Sequence, residues 1–397
     1  MKQETVVPLI MQTVWGTLTG IRPAKVAAKL LLSGKSNKET AEALTTEYKV
    51  VSDRAEMCVV TAQKAILLKN TLTPLDVALY VGIPFCPTRC AYCSFVSNNV
   101  EKSFNLVEPF VNTLINEINQ MAETVNRLGL RVIAVYIGGG TPTALPPFDL
   151  KKIIKTIEKS FVFSSLREYT IEAGRPDTIT EEVIDIIKNS KCTRVCINPQ
   201  SMSANVLQTI GRKHTPEGVE KAVELLRETK TVLNMDIIAG LPSDTPDGFN
   251  KTLDSVLKLK PENITIHTLS LKKGSSIMVN NTVIPSFDDV GEMLDYASFC
   301  LSKKGYEPYY IYRQKYIAGG FENTGWSLPK YDGVYNICMM EELCTVLAVG
   351  GGGVTKLISK DNRIERIFNA KYPQEYINRV EKIENKFKEI TNFFSNE

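Results

Sequence analysis

Histidine is scarce in this chain of 397 residues, with only His214 and His267 present. Two imidazoles are too few for a histidine-built metal or haem site to be the first expectation. Long apolar runs are also missing, and no stretch approaches the roughly 20 residues that a spanning helix needs. The first residues lack a basic segment followed by an apolar core and a cleavage site, which predicts a cytoplasmic chain. A surplus of one charge is absent too. The 47 Lys and Arg nearly balance the 44 Asp and Glu, for a net charge of +3. Nothing global therefore draws the chain to nucleic acid or to an anionic membrane. With 43% apolar and 23% charged residues, the composition is that of an ordinary globular protein. Its length predicts two or three domains.

Cysteine is not scarce. There are nine, an odd number, and three of them cluster, which favours a reducing compartment over a disulfide framework. The cluster lies in Tyr80–Phe95, YVGIPFCPTRCAYCSF. An apolar run from Val77 to Val81 reads as a strand, and Gly82 and Pro84 end it in a loop carrying Cys86, Cys90 and Cys93. Structural zinc asks for four protein ligands, and no partner pair follows at a usual spacing. A cubane iron–sulfur cluster has four irons, so three thiolates leave one iron open to a small chelating molecule. Cys192 and Cys196 are spaced CxxxC, but Cys196 falls within an expected strand and no third ligand follows, so they read as buried apolar thiols. Cys58, Cys300, Cys338 and Cys344 carry no recognised spacing.

Around this loop the chain divides into three segments, expected at 1–74, 75–271 and 272–397. The first reads as helical over Ala24–Leu32, Asn37–Tyr48 and Ser52–Lys69. Before these helices lies the turn-rich Trp15–Pro23, whose Arg22 reads equally as a packing residue or as a contact for an anionic substrate. The second segment alternates. Strands are expected at Val77–Ile83, Arg131–Ile137, Glu168–Ala173, Arg194–Asn198, Val232–Ala239 and Ile264–Leu269. Helices between them include Phe104–Leu128, with Thr180 and Thr215 as expected N-caps of later ones. Six strand–helix units imply a parallel sheet with right-handed crossovers, and periodicity alone leaves open a doubly wound sheet or an incomplete barrel. The third segment holds a helix at Phe287–Lys303, an aromatic and basic run at Tyr309–Tyr316, strand-like runs at Val334–Met340 and Cys344–Val349, and a terminal helix at Pro373–Lys388. The aromatic and basic run offers ring faces and cations to a flat ligand that bears anionic groups.

In parallel α/β folds ligands sit at the carboxyl ends of strands, and the suggestive residues fall there. Gly138-Gly139-Gly140-Thr141 follows the second strand, either a close-approach loop for a ligand or simply a tight turn. Glu172 closes the third, where a carboxylate needs a partner unless it is a solvated terminus. Arg175 either pairs with Asp177 or steadies another carboxylate. Gln200 ends the fourth strand, and Arg212, which follows it, reads alone as a surface residue. Asp236 interrupts the apolar fifth strand, and His267 on the sixth could face a cavity. Tyr80 and Tyr92, which flank the cysteines, read alone as core tyrosines.

The CxxxCxYC string at the end of a first strand resembles the radical S-adenosylmethionine (SAM) superfamily. The longer GIPFCPTRCAYCSF resembles the oxygen-independent coproporphyrinogen III oxidases, especially their HemZ-type branch. WGTLTGIRP, YYIYRQKY and FENTGW extend the likeness over nearly the whole chain. The resemblance implies an incomplete (β/α)6 barrel with a helical N-terminal segment and a smaller α+β C-terminal domain that covers the substrate. It implies a 4Fe-4S cluster on Cys86, Cys90 and Cys93, and two SAM molecules. Tyr80, Tyr92, Gly139 and Glu172 would contact the first SAM, and Gly140, Thr141, Gln200, Arg212 and Asp236 the second. The implied activity is oxidative decarboxylation of coproporphyrinogen III propionates to vinyl groups. A tetrapyrrole substrate and an electron donor such as flavodoxin or ferredoxin are the implied partners. Radical transfer of a one-carbon group to a haem-like or other aromatic substrate, or haem carriage without catalysis, are the alternatives. Two departures bear on the substrate: Trp326-Ser327-Leu328-Pro329 stands where the family has Tyr-Ala-Lys-Pro, and Gly350–Gly353 carries an extra glycine.

Overall fold

The structure, a computed structural model, describes residues 13–93, 97–271, 275–280, 282–313 and 320–395. Six strands run parallel in chain order: β1 (Asp76–Ile83), β2 (Arg131–Gly139), β3 (Glu168–Gly174), β4 (Arg194–Gln200), β5 (Val232–Ala239) and β6 (Asn263–Thr268). Each end lies within two residues of its expected place. The C-terminal third adds β7 (Glu307–Arg313), β8 (Glu322–Ser327), β9 (Thr345–Gly350), β10 (Val354–Ile358) and β11 (Ile364–Phe368) to the same sheet. The 11 strands follow the order β11-β10-β9-β1-β2-β3-β4-β5-β6-β8-β7. β9 runs parallel to β1, whereas β8 runs antiparallel to β6. The segment 272–397 thus flanks the parallel strands on both edges instead of forming a sheet of its own.

Helices α1 (Ala24–Leu32), α2 (Asn37–Glu47) and α3 (Ser52–Lys69) precede the sheet. The crossovers carry α4 (Val107–Arg127), α5 (Pro147–Ser160), α6 (Glu181–Lys188), α7 (Ala204–Thr209), α8 (Pro216–Arg227) and α9 (Pro246–Lys258). The Thr180 and Thr215 hydroxyls accept from Val183 N at 3.3 Å and Gly218 N at 3.1 Å, as N-caps do. α10 (Ser276–Val279) and α11 (Phe287–Lys303) follow the sixth strand. No helix among the described residues is long and apolar enough to cross a membrane.

Two C-terminal expectations change. Val334–Met340 reads as a strand, yet it forms α12 (Val334–Glu341). The carboxylate of Glu168 accepts from Val334 N at 2.7 Å and Tyr335 N at 3.3 Å. A distant side chain thus satisfies the first donors of the helix, and this outweighs the β-forming composition of the run. The expected terminal helix is two helices, α13 (Pro373–Asn378) and α14 (Val380–Ser395).

The N-terminal segment packs on the far edge of the sheet. Trp15 is buried, and its Nε1 donates to Glu322 of β8 at 2.9 Å. Arg54 donates to the other oxygen of the same carboxylate, also at 2.9 Å. Arg22 pairs with the buried Glu342 at 2.6 Å, so it is engaged within the chain.

α4 fixes the other side. Phe110, Val111, Leu114, Ile118 and Met121 form its buried apolar face, each worth about 1.5–3 kcal/mol on removal from water. Glu117 stands in that face, fully buried. It accepts from Gly350 N at 2.7 Å, from Asn369 Nδ2 at 2.9 Å, and from Tyr376 Oη and Lys386 Nζ. Lys386 Nζ also donates to Ala348 O at 2.9 Å, so one buried ion pair ties α4 and α14 to β9. Removing either partner strands the other charge in the core. Glu117→Ala is therefore expected to lower stability by about 3–5 kcal/mol in chemical denaturation, and Glu117→Gln by less.

Candidate active site

β1 leads into the cysteine loop, whose Phe85–Cys86 pairs with Asn98–Asn99 in a short parallel bridge. Gly140 N donates to Ile83 O at 2.8 Å, and Thr141 N to Phe85 O at 2.7 Å, so the loop lies against the turn after β2. A Cβ on Gly140 would stand 2.3 Å from Phe85 O and 3.0 Å from Cys86 Sγ. Gly139 has φ +110°, a conformation that side chains other than glycine's rarely adopt. Both glycines are therefore required by the close approach. Thr141 Oγ1 is 3.5 Å from Cys86 Sγ.

The Arg175 guanidinium pairs with both oxygens of Asp177 at 2.9 and 3.0 Å, which settles its partner. It also donates to Thr88 Oγ1 at 2.9 Å and lies 3.8 Å from Cys90 Sγ. Burial pushes the Cys86 thiol up, while the Thr141 hydroxyl and the Arg175 charge oppose that. None of Cys86, Cys90 and Cys93 is in a disulfide. Among the described residues no three Cys, His, Asp or Glu side chains converge on one point as a ready-made ion site. Three thiols on one loop, with no fourth such ligand beside them among the described residues, suit a polynuclear cluster with a coordination position to spare better than a tetrahedral ion.

Away from its end residues, each of the six strands has one partly exposed position in an otherwise buried stretch: Tyr80, Tyr136, Glu172, Asn198, Asp236 and His267. Tyr136 Oη donates to Glu172 Oε2, and Asn198 Nδ2 donates to Glu172 Oε1 at 2.5 Å. Asn234 Nδ2 donates to Asp236 Oδ1 at 2.7 Å, and His267 Nε2 lies 3.3 Å from Asp236 Oδ2. Burial and the charge of Asp236 push Glu172 up to about 7, against the two donors that favour its anion. Burial works against the His267 cation, but Asp236 outweighs it and raises the imidazole above its ordinary value. Tyr80, Tyr136 and Tyr335 stack as a trio, with centroids 4.6 to 6.4 Å apart.

Gln200 closes β4 with φ +67°, an uncommon conformation for a side chain other than glycine's. Its Oε1, Asn198 Oδ1 and Arg212 Nε are buried without a hydrogen-bond partner. The rest of Arg212 donates to Tyr92 Oη at 3.1 Å and to the Asn198 carbonyl. Burial opposes the Arg212 cation, and the neighbouring Tyr92 and Cys90 more than restore it. A buried polar atom left unpaired costs about 1–3 kcal/mol. Three together beside the cysteine loop fit the footprint of a polar ligand. His214, buried nearby, is pushed down to about 4 by burial and by the charges of Arg212 and Arg175, so it is neutral.

All the site residues expected from sequence therefore lie on, or just beyond, β1 to β5, cross-linked through Thr141 to Cys86 and Arg212 to Tyr92. Sequence reasoning gave no role to Tyr136, Asn198 or His214. Tyr136 and Asn198 each stand a few residues before an expected site residue, which is the signal that could have found them. The aromatic and basic run is different. Tyr309 and Tyr310 are buried, and Arg313 donates to Gly320 O and Leu18 O and lies 5.4 Å from the Trp15 ring. Its described part is thus engaged by the chain itself, and Gln314–Tyr316 lie outside the described residues. Trp326 and Ser327 are buried in β8. An open cavity of about 640 Å³ between α9 and α11 includes none of the expected site residues.

A family model for the radical SAM superfamily matches residues 80–256. The chain is 37% identical over 374 residues to the oxygen-independent coproporphyrinogen-III oxidase-like protein HemZ of Bacillus subtilis, covering 92% of this chain and 75% of that one. It is 28% identical to the heme chaperone HemW of Lactococcus lactis, over 64% of this chain and 67% of the relative. Its fold is similar to that of the coproporphyrinogen III oxidase HemN from Escherichia coli, a radical SAM enzyme. The TM-score is 0.61 at 21% identity, over 80% of this chain and 72% of the other.

Because a Cβ at position 140 collides with backbone, Gly140→Ala is expected to cost about 1–3 kcal/mol in stability. Anaerobic reconstitution of that variant is expected to yield less iron per chain than wild type, measured by iron analysis and the visible absorption of the cluster.

Proposed function

The chain belongs to the radical SAM superfamily, within the oxygen-independent coproporphyrinogen III oxidase-like proteins of the HemZ branch, and from that premise we propose that it oxidatively decarboxylates propionate arms of a coproporphyrinogen. Each arm would lose a β-hydrogen atom, carbon dioxide and one electron to a one-electron acceptor, leaving a vinyl group; two arms of coproporphyrinogen III would give protoporphyrinogen IX. When bound, a 4Fe-4S cluster and SAM supply the reducing electron and the organic radical that takes the hydrogen atom. Cys86, Cys90 and Cys93 would hold the cluster. Tyr80, Tyr92, Gly139 and Glu172 would bind one SAM, and Gly140, Thr141, Gln200, Arg212 and Asp236 a second. The protein's share is to orient these groups and to keep water away from the reacting carbon. A flavodoxin or ferredoxin would deliver the electron.

The observation that carries this reading is the set of unpaired buried atoms on Asn198, Gln200 and Arg212 beside Tyr92 of the cysteine loop. These atoms offer hydrogen bonds to a bound polar cofactor such as SAM. The similarity to HemW supports a second reading, haem carriage, and the test separates the two. Reconstituted protein is incubated anaerobically with SAM, reductant and coproporphyrinogen III, and the products are weighed. Loss of two carbon dioxides per substrate is expected. Methylated product with S-adenosylhomocysteine would instead indicate one-carbon transfer, and tight haem binding without substrate-dependent SAM turnover would indicate carriage. Cys90→Ser is expected to abolish SAM cleavage while leaving the circular dichroism spectrum unchanged. Deoxyadenosine formation at the wild-type rate would refute that role.

A further inference from the structure

Five of the six interior positions offer phenols, a carboxamide or carboxylates, and His267 on β6 is the basic one. A tetrapyrrole bearing several propionates is a polyanion, and Glu172 and Asp236 repel it. At the mouth Arg175 is engaged by Asp177 and Thr88, and Arg212 by Tyr92 and the Asn198 carbonyl, its unpaired Nε being assigned above to a SAM. His267 is half-buried, with 28% of its side chain open against 14% for Asp236. Asp236 of β5, 3.3 Å away, and Glu172 of β3 are the charged groups that face it, and the Asn323 side chain of β8 hydrogen-bonds it and also favours its cation. The two carboxylates sustain the imidazolium, and the exposed 28% of its side chain is where a further anion can reach it.

We propose that His267 is a specificity-determining residue that receives a substrate carboxylate inside the barrel. The inference rests on the tetrapyrrole reading above. Its ligand chemistry is a carboxylate, and the methionyl carboxylate of SAM is the rival source. The sign of the pH dependence follows from the raised imidazole. The cation is fully present at low pH and is lost as pH rises through its folded value, and carboxylate binding goes with it.

The experiment uses the full reconstituted chain and coproporphyrin III, a stable tetracarboxylate, as probe. Binding is read by fluorescence quenching at about pH 6 and about pH 8, on either side of an imidazole titration; SAM binding is read in parallel by equilibrium dialysis. Wild type is expected to bind the porphyrin more tightly at the lower pH. His267→Gln is expected to bind it roughly tenfold more weakly there, the worth of one charge-assisted hydrogen bond, and to show no pH dependence. His267→Lys, which keeps a cation, is expected to recover most of the affinity at both pH values. Equal binding by wild type and His267→Gln, with the same pH slope, overturns the inference. So does a loss of SAM binding in His267→Gln that equals or exceeds its loss of porphyrin binding. A wild type that does not bind coproporphyrin III at all overturns the tetrapyrrole reading itself, a result distinct from either.

Discussion

Two backbone hydrogen bonds hold the site together: Gly140 N to Ile83 O at 2.8 Å and Thr141 N to Phe85 O at 2.7 Å. They fasten the cysteine loop to the turn after β2, so the thiols and the glycine turn share one mouth. A side chain at position 140 would collide with Phe85 O, the acceptor of the second bond. The same economy of space recurs on the other flank, where a Cβ on Gly350 would lie 2.2 Å from Gly82 O. β9 therefore closes on the end of β1 only because both positions are glycine. Gly350 N is held in turn by Glu117, whose charge is balanced by Lys386. A buried ion pair on the outer helices thus reaches the mouth through one glycine amide.

The parallel strands were legible because both faces are buried and their apolar runs are bounded by turn residues. The helix starts at Thr180 and Thr215 were legible for a local reason, a hydroxyl three residues before the amide it caps. What escaped depends on partners far along the chain. α12 begins where Glu168 supplies a carboxylate to Val334 and Tyr335, and nothing near residue 334 announces it. The strands β10 and β11, absent from the sequence reading, form an antiparallel pair from residue 354 to 368 and extend the sheet beyond β9. Arg22 could be read two ways until Glu342, on the far side of the chain, took one of its nitrogens.

The site divides in the same manner. Cys86, Cys90, Cys93 and the glycine turn are recognisable because their chemistry needs a fixed local spacing. Tyr136, Asn198 and His267 matter through neighbours on adjacent strands, Tyr136 and Asn198 with Glu172 and His267 with Asp236. Such contacts follow from strand order and register, which no local spacing records. Arg313 makes the complementary point. Its aromatic and basic surroundings looked open to a macrocycle, whereas it is held by Leu18 and Gly320.

The interior electrostatics are hard to explain by stability alone. Two carboxylates, Glu172 and Asp236, share a buried space, and the proximity of Asp236 helps push Glu172 up to about 7. Well-packed apolar residues would stabilise the barrel more cheaply than a partly balanced set of charges. Strand ends of a parallel barrel are where ligand chemistry overrides packing, so such a set is the mark of a site. A sulfonium cation brought beside these carboxylates would favour their ionised forms and draw the proton off Glu172. The unpaired amide oxygens of Asn198 and Gln200 next to them accept hydrogen bonds but donate none. The wall of β3 to β5 therefore presents carboxylates and acceptor oxygens, with the unpaired donor Arg212 Nε beside them, a surface suited to a cation that also carries hydrogen-bond donors. SAM, with its sulfonium, its ammonium and its ribose hydroxyls, has that character.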